Sequence, residues 1–153
     1  MNRALILKVF IEKVYQNYKN NRCQNSWISG ILNSHLKIRI YDPECLIPKE
    51  YENKKVEALI SLMIWNRGPY FTELSGKYIG RYEIPLTEIK KYIIPSYLEG
   101  MDIDGQEYLE DLYAFQTEDG IFFVRKDIYI DKWEQEIKIN VFRFDILAWY
   151  PIE

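Results

Sequence analysis

The stretch KVEALISLMIWNR, residues 55–67, constrains the fold of this chain more than any other. Its even positions Val56, Ala58, Ile60, Leu62 and Ile64 are all apolar. Its odd positions start polar at Lys55 and Glu57, then turn apolar at Leu59, Met63 and Trp65. Period-two alternation predicts a strand with one buried face. Apolar residues on both faces further along predict a strand covered on both sides. Asn66-Arg67-Gly68-Pro69 ends the strand, because Gly and Pro punctuate regular structure. The next strand is KYIGRYEI, residues 77–84, where the internal Gly80 predicts a bulge or a barrel corner. Together the two strands predict a hairpin with a long loop from Arg67 to Leu74.

Other periodicities place the remaining elements. Leu7, Phe10, Ile11, Val14 and Tyr18 fall on one helical stripe, which predicts a helix over residues 3–21. Leu5 and Val9 lie off that stripe. Asn25 or Ser26 then caps a short turn through Trp27 and Ile31. From His35 to Tyr41 the alternation is clean: Leu36, Ile38 and Ile40 point inward, and Lys37, Arg39 and Tyr41 point outward. Asp42-Pro43 ends this strand. Pro85 to Ile94 reads as a short helix, with proline in its first turn. Residues 107–116 and 121–130 form a hairpin around Glu118-Asp119-Gly120, since Asp-Gly between apolar runs is a strong hairpin signal. In the last strand, residues 136–149, the apolar phase changes from Ile137, Ile139 and Val141 to Phe142, Phe144, Ile146 and Ala148. That change predicts a bulge at Val141–Phe142 with Arg143 and Asp145 outside.

The expected fold class is α+β, mainly β. It is a small, antiparallel, partly open barrel of OB-like type, with an N-terminal helix and a short helix between strands three and four. A generic α+β sheet packed by the two helices is the alternative. One domain spans residues 1–153, with a helical addition over 1–33 and the barrel-like core over 34–150.

Composition restricts function further. Hydrophobic residues make up 48% of the chain, enough for a packed core. The cysteines Cys23 and Cys45 are too few for a disulfide framework, so they read as reduced and the protein as cytoplasmic. The N-terminal apolar run is cut by Lys8 and by Glu12-Lys13, which argues against a signal peptide. No run approaches the roughly 18 apolar residues of a membrane span. The expected N-terminal helix is basic, from Arg3, Lys8, Lys13, Lys19 and Arg22 against Glu12, and packs on its own domain rather than on a membrane surface. The net charge of −3 is uneven: residues 1–95 carry 15 Lys/Arg against 9 Asp/Glu, and residues 96–153 carry 5 against 14.

Motifs with chemical meaning are sparse. Ser34 and His35 are adjacent at a strand start and point to opposite faces, so they do not form a nucleophile and its base. Cys23, Cys45 and His35 lack zinc-site spacing. Asp102-Ile103-Asp104-Gly105 matches the middle of a calcium loop, but Gly100 and Asp111 fall where its first and last ligands belong. A turn accounts for it. Glu136 and Lys138 have a spacing used by metal-dependent nucleases, with Asp119 or Asp127 as the further acid; a solvated strand face is the plainer reading. There is no phosphate-binding glycine loop.

One constellation remains. Lys37, Arg39 and Tyr41 project from one strand, Lys77 and Arg81 from another, and Arg67, Tyr70 and Phe71 lie in the loop between the central strands. Cations with interleaved aromatics suit single-stranded nucleic acid. Tyr and Arg are also enriched in protein interfaces. The sequence therefore predicts a non-enzymatic binding module with no cofactor and no metal, acting on a protein partner as subunit, adaptor or inhibitor. An OB-like binder of single-stranded nucleic acid is the alternative, and a metal-dependent nuclease comes third.

Overall fold

The computed structural model describes residues 6–64, 72–81, 91–94, 112–125 and 130–152. In chain order the strands are β1 (Leu7–Lys19), β2 (Arg22–Leu32), β3 (Leu36–Asp42), β4 (Lys55–Met63), β5 (Thr72–Arg81), β6 (Leu112–Thr117), β7 (Gly120–Arg125), β8 (Ile137–Val141) and β9 (Arg143–Pro151). Among the described residues the only helical element is a single 3₁₀ turn, Lys49–Tyr51, between β3 and β4.

Five strands close into a barrel in the order β1-β2-β3-β9-β4, with β4 returning to β1. Four of these pairings are antiparallel, and β3 runs parallel to β9. Side chains at alternate positions fill the interior: Leu7, Val9, Ile28, Ile38, Ile40, Val56, Ala58, Ile60 and Ile146 are all buried. The chain between β4 and β9 builds the other four strands, which extend the sheet as β7-β6-β5-β8 from a parallel bridge of β4 to β7.

β4 shows the two-sided burial expected of it. Val56, Ala58, Ile60 and Leu62 belong to the barrel core. Leu59 faces the other way, into a second cluster with Leu112, Ala114, Ile121, Phe123 and Leu147. That second cluster packs the added strands against the outside of the barrel, so β4 is buried on both faces from Val56 to Ile60.

The expected N-terminal helix is a β-hairpin. β1 pairs with β2 from Val9 to Lys19, and both are barrel strands rather than an addition to a core starting at residue 34. A bulge explains the false helical stripe. The β1–β2 register shifts between Ile11 and Lys13, so Leu7, Val9 and Ile11 face inward before Glu12 and Val14 faces inward after it. The step of three across the bulge imitates helical spacing. Asn20 and Asn21 both take positive φ and form the hairpin turn, which is the left-handed geometry that Asn tolerates. The expected short turn from Asn25 or Ser26 through Trp27 and Ile31 is part of β2.

Other expectations also change. β4 and β5 do not pair; β4 lies between β9 and β1, and β5 between β6 and β8. The short helix expected at Pro85–Ile94 lies largely outside the described residues, and its described end, residues 91–94, is a turn and bend followed by a bridge of Ile93 to Trp149. The break at Phe142 is larger than a bulge, because β8 pairs with β5 and β9 with β4. Phe144 is buried as expected, but Phe142 is 45% exposed. Gly80 does mark a bulge: the β5–β6 register shifts between Tyr78 and Gly80, whose φ is +98°.

Cys23 and Cys45 form a disulfide, which overturns the expectation of reduced cysteines. The cytoplasmic expectation rested on that reading and keeps no support from the pair. A cross-link across a sequence separation of 22 residues restricts the unfolded chain by roughly 3 kcal/mol. Among the described residues, no helix is long and apolar enough to cross a membrane.

Candidate functional site

The outer face of β1, β2 and β3 carries a row of three aromatic rings. Tyr15 on β1 sits opposite Trp27 on β2, and Trp27 sits opposite Tyr41 on β3. Alternation puts them there: Val14, Ile28 and Ile40, each next to one of the three, are buried in the barrel. The Trp27 and Tyr41 rings lie 4.9 Å apart between centroids, tilted by 39°. Tyr15 is 55% exposed at the open end of the row.

Each ring has a cation over it. Lys13 Nζ lies 5.9 Å from the centre of Tyr15, the Arg39 guanidinium 5.1 Å from Trp27, and the Arg143 guanidinium 4.8 Å from Tyr41. A cation over an aromatic face is worth about 0.5–1 kcal/mol at an exposed site, enough to favour one orientation of the side chain. Arg143 is fixed further: its Nε and Nη2 donate to the two carboxylate oxygens of Asp145 at 2.6 and 3.1 Å. Arg39 has no carboxylate partner among the described residues, so its edge N–H donors face solvent. Lys37 lies 3.7 Å from Glu12, which also accepts a hydrogen bond from Ser29.

Part of this face, with Trp27 and Arg143 but without Tyr15 and Tyr41, borders a groove of about 440 Å³. Trp27, Ser29, Lys37 and Arg39 form one side, and Thr72, Val141 and Phe142 from the added strands form the other. The sequence placed Lys37, Arg39 and Tyr41 on an outer strand face, and the structure puts them there. Lys77 is elsewhere: it lines a second groove of about 660 Å³ with His35, Glu73, Asp119 and Glu136. Arg81 ends β5 opposite Tyr113. Arg67, Tyr70 and Phe71 lie outside the described residues, as do the calcium-like stretch around Asp102 and the acid Asp127.

Sequence reasoning missed Tyr15, Trp27, Lys13 and Arg143 as members of this face. For the three on β1 and β2 the signal was Asn20-Asn21 between two runs of mixed apolar and polar residues, a turn dipeptide for a tight hairpin.

Asp42 shapes the far end of β3. Its buried carboxylate accepts hydrogen bonds from the backbone N–H groups of Leu46 and Ile47, both at 2.9 Å. Burial raises its pKa above the ordinary value, and hydrogen bonds to the carboxylate offset only part of that rise.

The second groove contains a side-chain tie. His35 Nε2 lies 2.7 Å from Asp119 Oδ1, which also accepts a hydrogen bond from Asn33 Nδ2 at 2.9 Å. This joins the β2–β3 turn to the β6–β7 turn. Ligand atoms of His35, Glu118 and Asp119 lie within 4.8 Å of one another. Of the nuclease-like pair, Lys138 makes a cross-strand contact to Glu73 at 3.8 Å, and Glu136 is exposed.

Comparison with protein-family models, with curated proteins and with solved structures gave no match, so the functional reading rests on this geometry.

Proposed function

We propose that the protein is an OB-like, non-catalytic binding module that takes single-stranded nucleic acid on the outer β1–β2–β3 face. Support for the fold name is the strand order β1-β2-β3-β9-β4 closed onto β1, with an OB-type barrel's second and third strands in β2 and β3. OB barrels bind oligonucleotides on that face and on the neighbouring loops. The observation that carries the reading is the row Tyr15–Trp27–Tyr41, each ring with its own cation. Rings offer stacking platforms to unpaired bases, at roughly 1–3 kcal/mol per base, and the cations meet the phosphates between them. A duplex hides its base faces, so the row discriminates for single strands.

The acidic total is compatible with a local basic face. Lys13, Lys37, Arg39 and Arg143 gather against Glu12 and Asp145, while at the other groove Glu73, Glu118, Asp119 and Glu136 outnumber Lys77 and Lys138. Such a separation orients a polyanion toward one side of the molecule.

A protein partner is the second reading. Exposed Phe142 on the groove wall favours it, because an aromatic anchor beside arginines is common in protein interfaces. Fluorescence anisotropy with labelled single-stranded and duplex oligonucleotides of one sequence separates the two. Single-strand binding that exceeds duplex binding is expected. No binding to either would transfer the face to a protein partner.

A further inference from the structure

Beyond the ring row, β1 and β2 continue as an arm. β3 covers β2 only from Ser26 to Leu32, and β4 covers β1 only from Leu7 to Phe10. From Tyr15 to Lys19 and from Arg22 to Asn25, the two strands have only each other as ladder partners among the described residues. Residues 17–22 are all exposed. A two-stranded hairpin without further support is marginally stable in water. The support here is covalent: Cys23 on the arm is joined to Cys45 in the loop after β3. That loop is itself anchored, through Asp42 and through the Cys45 N–H bond to the Asp42 carbonyl at 3.3 Å.

The register shows which side the brace leaves open. Tyr18 pairs with Cys23, and Lys19 pairs with Arg22. Alternation along β1 puts Lys19 on the side of Lys13 and Tyr15, and Tyr18 with Cys23 on the other. The cross-link therefore holds the arm from behind, while Lys19 and Arg22 extend the ring face. Residues 15–25, YQNYKNNRCQN, contain no carboxylate and are rich in Asn and Gln.

We infer that this arm is a second contact for the same nucleic-acid strand, and that the Cys23–Cys45 disulfide sets the affinity by holding it in place. The inference rests on the nucleic-acid reading of the ring face. Reduction by a dithiol proceeds by exchange: a thiolate of the reductant attacks one sulfur, the Cys23–Cys45 bond breaks, and a second attack releases the other cysteine. Two cysteine thiols form, and the dithiol is oxidised to its own disulfide.

The test is anisotropy with a labelled single-stranded oligonucleotide across a salt series, on oxidised protein and on protein reduced by dithiothreitol, with thiols counted. Reduced protein should bind several-fold more weakly, with a log–log slope flatter by about 1.4, two phosphate contacts at about 0.7 each. The double variant Lys19→Ala, Arg22→Ala keeps the disulfide; oxidised, it should match the reduced wild type and should not respond further to reduction. Equal affinity and slope for oxidised and fully reduced protein would overturn the inference. So would an oxidised double variant that binds like the wild type. In both cases binding itself persists, and the ring-face reading stands. Absence of binding by every form would instead overturn the ring-face reading, and this inference with it.

Discussion

Arg39 concentrates the argument about charge in one side chain. It lies over Trp27 and has no carboxylate partner among the described residues, so its donors are available to a phosphate. Arg39→Ala should flatten the salt dependence of oligonucleotide binding by about 0.7 in log–log slope. Arg39→Lys keeps the charge and should keep the slope, but a compact ammonium cannot lie flat on the indole, so affinity should still fall. Anisotropy titrations of both variants check this; equal slopes for wild type and Arg39→Ala would remove Arg39 from the site. Asp42 carries a prediction about pH. Its folded pKa is raised, chiefly by burial, from an ordinary value of 3.8. Across the window between those values the native protein keeps a proton that the unfolded chain has released. This group's contribution to stability is therefore complete below the unfolded pKa, declines as pH rises toward the folded one, and is level above it. Asp42→Asn should abolish that decline. It should also cost about 1–3 kcal/mol, because one of the two oxygens that accept from the Leu46 and Ile47 N–H groups becomes an NH₂, which only donates. Urea unfolding from about pH 4 to about pH 7 would show it; parallel pH profiles for the two proteins would contradict it.

At the level of elements, the sequence was most legible where alternation ran unbroken. β3, β4 and the described part of the β6–β7 hairpin match their expected strands because Ile38, Ile40, Val56, Ala58, Ile60 and the Asp119-Gly120 turn carry undisturbed signals, while residues 107–111 and 126–129 of that expectation lie outside the described residues. β1 was not legible because the extra residue near Glu12 moves the apolar phase by one, and the result fits a helical wheel. Val9, off that wheel but fully buried, was the residue that betrayed it. The pairing of β4 with β9 was hidden for a different reason. Their contacts join residues 80 or more positions apart, as Met63 with Arg143, and no local pattern encodes a partner at that range. Half of the candidate face was therefore visible, the β3 half with Lys37, Arg39 and Tyr41; the half on β1 and β2 vanished into the false helix. The β4–β9 pair also supplies a stability test. Ile60 is fully buried and faces Ile146 across that pair. Ile60→Ala should cost roughly 2–5 kcal/mol in denaturant melts. A loss below about 1 kcal/mol would mean that the barrel interior closes over the missing side chain or is not where it is drawn.

For the whole molecule, the described charges gather unevenly around the two grooves. The basic first part supplies Lys13, Lys19, Arg22, Lys37 and Arg39 to one side of the barrel. Glu118, Asp119 and Glu136 from the acidic last part border the second groove with Glu73. The central claim is that a ring row on the basic side reads unpaired bases. The most direct measurement is binding of a labelled single-stranded oligonucleotide to the oxidised protein and to its Trp27→Ala variant over a salt series. Lys13, Lys37 and Arg39 alone imply a slope of about −2, and the arm adds to it. Trp27→Ala should weaken binding by roughly 1–3 kcal/mol and leave the slope unchanged, because it removes a stacking platform and no charge. Wild type and Trp27→Ala binding with equal affinity, or a wild-type protein that binds no oligonucleotide at low salt, would contradict the account.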